Sequence, residues 1–398
     1  MSDIGAAPAR RKLTAFHLAS FVGNLGDNAM HDGEYRTRAA DFPFPLDHRA
    51  CEVRDFIHWR ERSFDDSFLA EAEQADVLVV GGFSLFQLWR DTTVSGTYLD
   101  ATSEFFASLP CPVWFHGLGC DATRGVNPLA VERTRAFLDD LLPLDHCRFS
   151  LRNDGSADLV RAHLGADYAQ AMAIVPDGGL FAEPQSRAHP GLSPETRFIA
   201  VNLAGDMPDK RYRSADGADL TERFARQIAD GLGALMREDP DLLCIFVPHI
   251  YSDFQPISSV LEAFDDRLRR TRVLVAGLAQ GDAGWSASFD LYRRASAVIS
   301  MRYHASLGSI GFATPVRGIS THHKVEGQFA AYGLSERCHP FSERSDLQPL
   351  FAGLARDLAD PGPVRRRFAG IKGEERAVLS RYHGEIATWL TNRTETRP

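Results

Sequence analysis

The chain has no run approaching the about 20 consecutive apolar residues that a membrane-spanning helix requires, which excludes an integral helical membrane protein. It also lacks paired cysteines. Cys51, Cys111, Cys120, Cys147, Cys244 and Cys338 are scattered, with no C-x-x-C among them. Such spacing points to reduced thiols in a cytoplasmic protein rather than to a disulfide framework or a zinc site. Positive charge is short as well. A formal net charge of −9 makes nucleic acid an unsuitable main partner, because phosphate backbones select basic surfaces. The basic residues before Lys12 are not followed by the apolar core of a secretory signal, since His17 and Asn24 interrupt it. No short internal repeat is visible. No G-x-G-x-x-G follows the first strand-like run, so a nicotinamide cofactor is not indicated.

What is present is ordinary globular material: 398 residues, 44% apolar and 24% charged, enough for two domains. Short apolar runs alternate with longer amphipathic ones, the signature of an α/β fold with largely parallel sheets. Strands are expected at 14–22, 76–80, 112–116, 147–151 and 171–175, with helices at 67–74 and 128–142. Residues 182–196 are rich in Pro, Ser and Gly without apolar periodicity and form the natural linker. The same grammar then restarts, with strands expected at 197–203, 242–248, 272–276, 297–301 and 316–320. Helices are expected at 220–237, around Tyr292 and after His304, and a last one at about 373–390 closes the structure. The expected architecture is two facing Rossmann-like domains, 1–185 and 186–398. Ligands belong beyond the carboxyl ends of such strands, hence in the cleft between the domains.

The candidate functional residues fall at those strand ends. The run 297–308 delivers Arg302 and His304 two positions apart, where a small-residue segment starting near Ala305 and Ser306 opens a helix. A fixed cation, an imidazole and a helix N-terminus then converge as an anion site with a proton donor beside it. After the first strand, Gly23-Asn24-Leu25-Gly26-Asp27-Asn28 permits a tight turn and presents backbone N–H groups and small polar side chains to a substrate. Gly81-Gly82 and Gly117-Leu118-Gly119 place glycines at the ends of the next strands. Ser150 and Arg152 share a face, with Ser156 placed to cap a helix. Arg152 suits either an anion or a salt bridge between domains. Pro176-Asp177 follows the next strand, where Asp177 fits a structural role in the turn. Pro248-His249, with Ser252 and Asp253 nearby, and Lys324 in Thr321-His322-His323-Lys324 stand at later strand ends. His322 and His323 point oppositely if extended and make poor joint metal ligands.

Taken in order, these residues resemble the polysaccharide pyruvyl transferase family. The resemblance rests on Gly23 to Asp27, Gly81-Gly82, Gly117-Leu118-Gly119, Ser150/Arg152/Ser156, Pro176-Asp177, Pro248-His249, Arg302/His304 and Gly311/Pro315/Lys324. It implies a fold similar to the glycosyltransferase-B class. The first domain would lie on the acceptor side, with Gly23, Asn24, Asp27, Gly82, Asn202 and His249 toward the acceptor. It further implies transfer of pyruvate from phosphoenolpyruvate onto two hydroxyls of a sugar as a cyclic ketal, with no cofactor beyond that donor. Arg302 and His304 match the family's donor-binding and catalytic pair; Ser306, Lys324 and Arg152 are further donor contacts. A lipid-linked acceptor would bring a cytoplasmic enzyme to the inner membrane face. One departure stands out. Some members carry an arginine where this chain has Ala204, so Lys210, Arg211 or Arg213 must substitute, or the donor differs.

In the chemistry so implied, His304 protonates the enol methylene carbon, and Asp27, Asp177 or Asp253 takes the hydroxyl proton. Two other functions fit the same scaffold. A nucleotide-sugar glycosyltransferase would be expected to carry two glutamates eight apart, but Glu326 stands alone between His304 and Leu334. A carbohydrate-binding protein that kept the fold and lost turnover fits Ala204, while an intact Arg302 and His304 speak against it.

Overall fold

The computed structural model describes residues 11–395 except residue 322, and leaves out the side chains of residues 282, 283 and 395. His322 therefore lies outside the described residues. The first half supplies strands β1 (Leu13–Ala19), β2 (Leu46–Glu52), β3 (Val77–Gly81), β4 (Val113–Leu118), β5 (Cys147–Arg152) and β6 (Ala173–Val175). All are parallel, in the order β2-β1-β3-β4-β5-β6. The second half supplies β7 (Phe198–Asn202), β8 (Leu243–Phe246), β9 (Val273–Val275), β10 (Ala297–Ser300), β11 (Val316–Ser320) and β12 (Cys338–Pro340). These are parallel in the order β9-β8-β7-β10-β11-β12. Each sheet reverses its order of filling once, between β1 and β3 in the first and between β7 and β10 in the second. At such switch points the crossover helices leave on opposite faces and open a crevice at the carboxyl ends.

The central strands were legible because both faces are buried, which turns them into continuous apolar runs such as Val77–Gly81. Two strands of these sheets were not foreseen, nor was the small separate pair Phe86–Gln87 and Cys120–Asp121. β2 reads LDHRACE and is an edge strand with partly exposed side chains, so it lacks an apolar run. β12 is an edge strand of three residues. The last helix is longer than expected, Gly362–Glu395, and begins with Pro363 in its first turn, where a missing N–H costs nothing.

One core lies between the sheets and is shared by both halves: Val79 and Trp114 belong to the same buried cluster as Phe289, Val298 and Leu379. Two further cores cover the outer faces of the two sheets. The last helix straps the halves together. Lys372 donates to the Gly311 carbonyl (3.0 Å) in the second half, while Arg376 pairs with Asp41 (2.7 Å) in the first. Trp114 Nε1 donates to the Tyr382 hydroxyl at 2.9 Å inside the shared core. Residues 182–196 are fastened rather than loose: the Gln185 and Arg187 amides donate to Ser286 and Asp290 of the Gly281–Arg294 helix. Among the described residues no helix is long and apolar enough to cross a membrane.

The first half and the last helix packed on it bury several imidazoles. Burial pushes His17, His31 and His116 below the ordinary histidine value, His48 to about 3 and His383 to about 4. In the second half burial and Arg302 push His249 to about 3. The unfolded chain takes up protons on these groups below about pH 6.5 and the folded chain does not, so stability rises with pH across that window. The urea midpoint is expected to fall steadily from about pH 7 to about pH 5; a constant midpoint would contradict burial of these groups as neutral bases.

Candidate active site

A cleft of about 1140 Å³, including its open mouth, lies where the two switch points face each other. From the first sheet it receives Ser20, Asn24 and Asp27 after β1 and Gly82, Phe83 and Ser84 after β3. From the second it receives Asp206 and Arg211 after β7, and Arg302 and His304 after β10.

Arg302 is set by neighbours distant in sequence. Ser300 pairs with Asn202 across β10 and β7, and the Asn202 side-chain oxygen accepts the Arg302 backbone N–H at 3.1 Å. Asn202 also donates to the Val247 carbonyl at 2.9 Å, and it is fully buried. The Arg302 guanidinium donates through Nε to Asp253 (2.9 Å) and through Nη2 to both Asp206 (2.8 Å) and Asp253. Asp253 is itself fixed, because its carboxylate accepts the backbone N–H groups of Gly205, His249 and Ile250 at 3.0, 2.9 and 3.2 Å. Burial works against the charged guanidinium, but the two carboxylates outweigh it and hold Arg302 above its ordinary pKa.

His304 sits between carboxylates from the other half. Its Nε2 lies 3.4 Å from Asp177 and its Nδ1 3.9 Å from Asp27. Asp177 is buried, accepts from Arg152 Nη1 (2.9 Å) and from the Gly179 amide (2.7 Å), and so presents a fixed negative edge to the imidazole. Burial alone would raise that carboxyl, yet His304 and Arg152 hold it far below the usual carboxylate range. Asp27 faces the cleft and accepts from Ser20 (2.6 Å) and Asn24 (3.1 Å). The glycine at 26 is a requirement of this packing: a Cβ there would stand 2.5 Å from His304 Nδ1. Asn24 caps the Leu25–Asp41 helix by accepting the Gly26 amide, so cap, glycine and Asp27 form one device.

The other expected residues divide. Lys324 lines the cleft with its Nζ bonded to Asp121 (2.8 Å) and Ser84 (2.5 Å), which joins the two halves. Arg152 lines it too, but its charge is committed to Asp154 and Asp177, and its guanidinium lies 4.8 Å over the Tyr303 ring. Gly82 lines the cleft at φ +80, a backbone suited to glycine. His249 reaches the cleft wall fully buried, with Nε2 on the Tyr292 hydroxyl (2.8 Å), and burial beside Arg302 disfavours its protonated form. Three expected contacts are corrected by the structure. Gly23 turns the chain at φ +86 without lining the cleft. Asn202 is sealed beneath Arg302. Ser306 is buried on the flank of its helix, where it donates to Gln328 (2.7 Å).

The sequence reading missed Arg54, Phe83 and Tyr98. Arg54 bonds Ser20 and Glu52 and approaches Asp27 at 3.8 Å. Tyr98, held by His58 at 2.8 Å, stands 5.4 Å from Phe83 and gives the first-half wall two aromatic rings. Phe83 directly follows the Gly81-Gly82 strand end, Arg54 follows the unforeseen edge strand β2, and Tyr98 arrives from an irregular loop. Of the three cations named as substitutes at Ala204, Arg211 enters the cleft, whereas Lys210 and Arg213 are exposed. Glu34, His116 and His383 approach closely enough to share an ion. Glu34 and His116 belong to the first half and His383 to the last helix packed on it, and the Arg38 guanidinium already stands 3.0 Å from Glu34 as its cation.

A family model described as polysaccharide pyruvyl transferase matches residues 24–323. A sequence comparison with curated proteins found no match. Two solved structures are similar in fold. UDP-GlcNAc 2-epimerase from Neisseria meningitidis bound to UDP-GlcNAc is 10% identical with a TM-score of 0.50, over 94% of this chain and 99% of that one. The N-terminal domain of trehalose-6-phosphate phosphatase from Candida albicans is 10% identical with a TM-score of 0.51, over 98% of each chain. At such identities the likeness concerns the fold alone, two facing Rossmann-like domains in the glycosyltransferase-B arrangement.

Gly26→Ala tests whether the turn exists to admit His304. Alanine favours the helix by at most about 1 kcal/mol and overpacking costs about 1–3 kcal/mol, so a net destabilisation of up to about 2 kcal/mol is expected. Turnover is expected to fall at least about tenfold through displacement of the imidazole. Undiminished turnover at unchanged melting temperature would contradict this.

Proposed function

The chain belongs to the polysaccharide pyruvyl transferase family, and from that premise we propose that it moves pyruvate from phosphoenolpyruvate to two hydroxyls of a saccharide as a cyclic ketal. The observation that carries this reading is the pairing of a fixed guanidinium, Arg302, with an imidazole, His304, each set by its own buried aspartate, in a cleft with further cations. Phosphoenolpyruvate carries a carboxylate and a phosphate, which planar guanidinium forks bind in pairs. Arg302 and Arg211 face the cleft from the second half, and Lys324 from its far side.

In this reading His304, protonated on the side facing the cleft, gives its proton to the methylene carbon of the donor. C2 becomes electrophilic, and the first sugar hydroxyl adds there and loses its proton to Asp27. The second hydroxyl then attacks C2 and displaces phosphate, which leaves with the C2–O bond electrons. The proton of this second hydroxyl returns to the imidazole, and the proton held by Asp27 departs on the phosphate. Asp27 is the base best placed among the three named, because it faces the cleft near His304. Asp177 and Asp253 are fully buried and tied to arginines. Tyr98 and Phe83 offer aromatic rings to the acceptor on the first-half wall, beside Asn24 and Gly82. A lipid-linked acceptor would present its saccharide to this mouth from a membrane surface.

His304→Ala is expected to lower phosphate release from phosphoenolpyruvate in the presence of a saccharide acceptor about 10²–10⁴-fold, with donor binding retained. Arg302→Ala is expected to lose both. Full turnover in His304→Ala would remove the imidazole from the reaction.

A further inference from the structure

Asp206 stands where an incoming anion has to go. It lies on the turn leaving β7, lines the cleft, and has a side chain 32% exposed. Its carboxylate accepts from Arg302 Nη2 at 2.8 Å and from Arg211 Nη2 at 3.2 Å. Asp253, the other carboxylate on Arg302, is fully buried and nailed down by three backbone amides. Asp206 is therefore the exchangeable member of the pair. Arg211 has its own anchorage, through Nε to the Asp206 carbonyl (2.8 Å) and through Nη1 to Thr321 (2.7 Å), so it stays in place when the carboxylate leaves. The next residue, Met207, holds φ +52, a left-handed backbone that a methionine keeps only under constraint. A swing of this turn can release it.

We propose that Asp206 is an internal occupant of the donor's carboxylate subsite: the chain's own carboxylate bridges Arg302 and Arg211, and the substrate carboxylate displaces it toward solvent. The inference rests on the reading of phosphoenolpyruvate as donor. It gives Arg211 the work left open by Ala204, since two guanidiniums then converge on one carboxylate although the strand end itself supplies none. Both forks match a planar carboxylate. A substrate anion placed beside a resident Asp206 would meet like charge in a half-buried cleft, so the two cannot share the arginines. Self-occupation lowers apparent affinity by the fraction of molecules in which the arginines are free, and it keeps the pair from holding unrelated anions between turnovers.

The test is titration calorimetry of three probes, phosphoenolpyruvate, pyruvate and inorganic phosphate, into the wild-type chain, Asp206→Asn, Asp206→Ser and the double variant Asp206→Asn/Arg211→Ala. Melting temperatures show which variants are folded. If the arginines are plugged about nine-tenths of the time, either single variant binds phosphoenolpyruvate and pyruvate about tenfold more tightly than wild type. The gain for phosphate is smaller, and the double variant loses the gain for pyruvate. Equal or weaker binding of both carboxylates by the folded single variants overturns the inference. Tighter pyruvate binding without phosphoenolpyruvate binding sustains the subsite and refutes the donor. No anion bound by any variant overturns both.

Discussion

Charges removed from water need partners, and the partners of Arg302 and His304 organise the rest of this molecule. Asp253 fixes Arg302 from beneath, and three backbone amides fix Asp253. Asp177, clamped by Arg152, faces His304 from the other half of the chain. Without Asp253, Arg302 would keep only the partly exposed Asp206, and without Asp177, Arg152 would keep only Asp154; breaking a buried pair outright costs about 3–5 kcal/mol, and these second carboxylates reduce that loss. His304, which lines the cleft, thus also joins the two halves through Asp27 and Asp177. The shared core and the last helix add apolar weight to that joint.

The topology explains why these residues meet. Parallel strands end on one side, and a reversal in strand order opens a crevice there. This chain has one reversal in each sheet, and the crevices face each other. Helix Leu25–Asp41 delivers Asn24 and Asp27 from one side, and the turn after β10 delivers Arg302 and His304 from the other. The approach is so close that residue 26 has no room for a side chain. A motif that looks like a turn signal in the sequence is also a steric permit for a histidine nearly 280 residues away.

The legible parts of the sequence were those with a local physical cause. Strands buried on both faces announced themselves as apolar runs, and Arg302 and His304 stood at the end of one. β2 was hidden because an edge strand with polar residues carries no such run. Asp253 was a candidate in the sequence, but its pairing with Arg302, and Asp206 altogether, were hidden for another reason. Asp253 and Asp206 lie 49 and 96 residues from Arg302, and no spacing rule connects them. Ser306 was expected to face an anion as part of a helix start, but the helix rotation turned its hydroxyl to Gln328. Strand-end position found the neighbourhood of the site, while side-chain direction and counter-ion pairing required the folded chain.

The most direct measurement is a crystal structure of the protein soaked with phosphoenolpyruvate in the absence of acceptor. The account predicts density for the donor in the cleft, its anionic groups on Arg302 and Arg211 and its methylene carbon toward His304. Density elsewhere, or a donor that leaves Arg302 on both of its aspartates and His304 untouched, would contradict it.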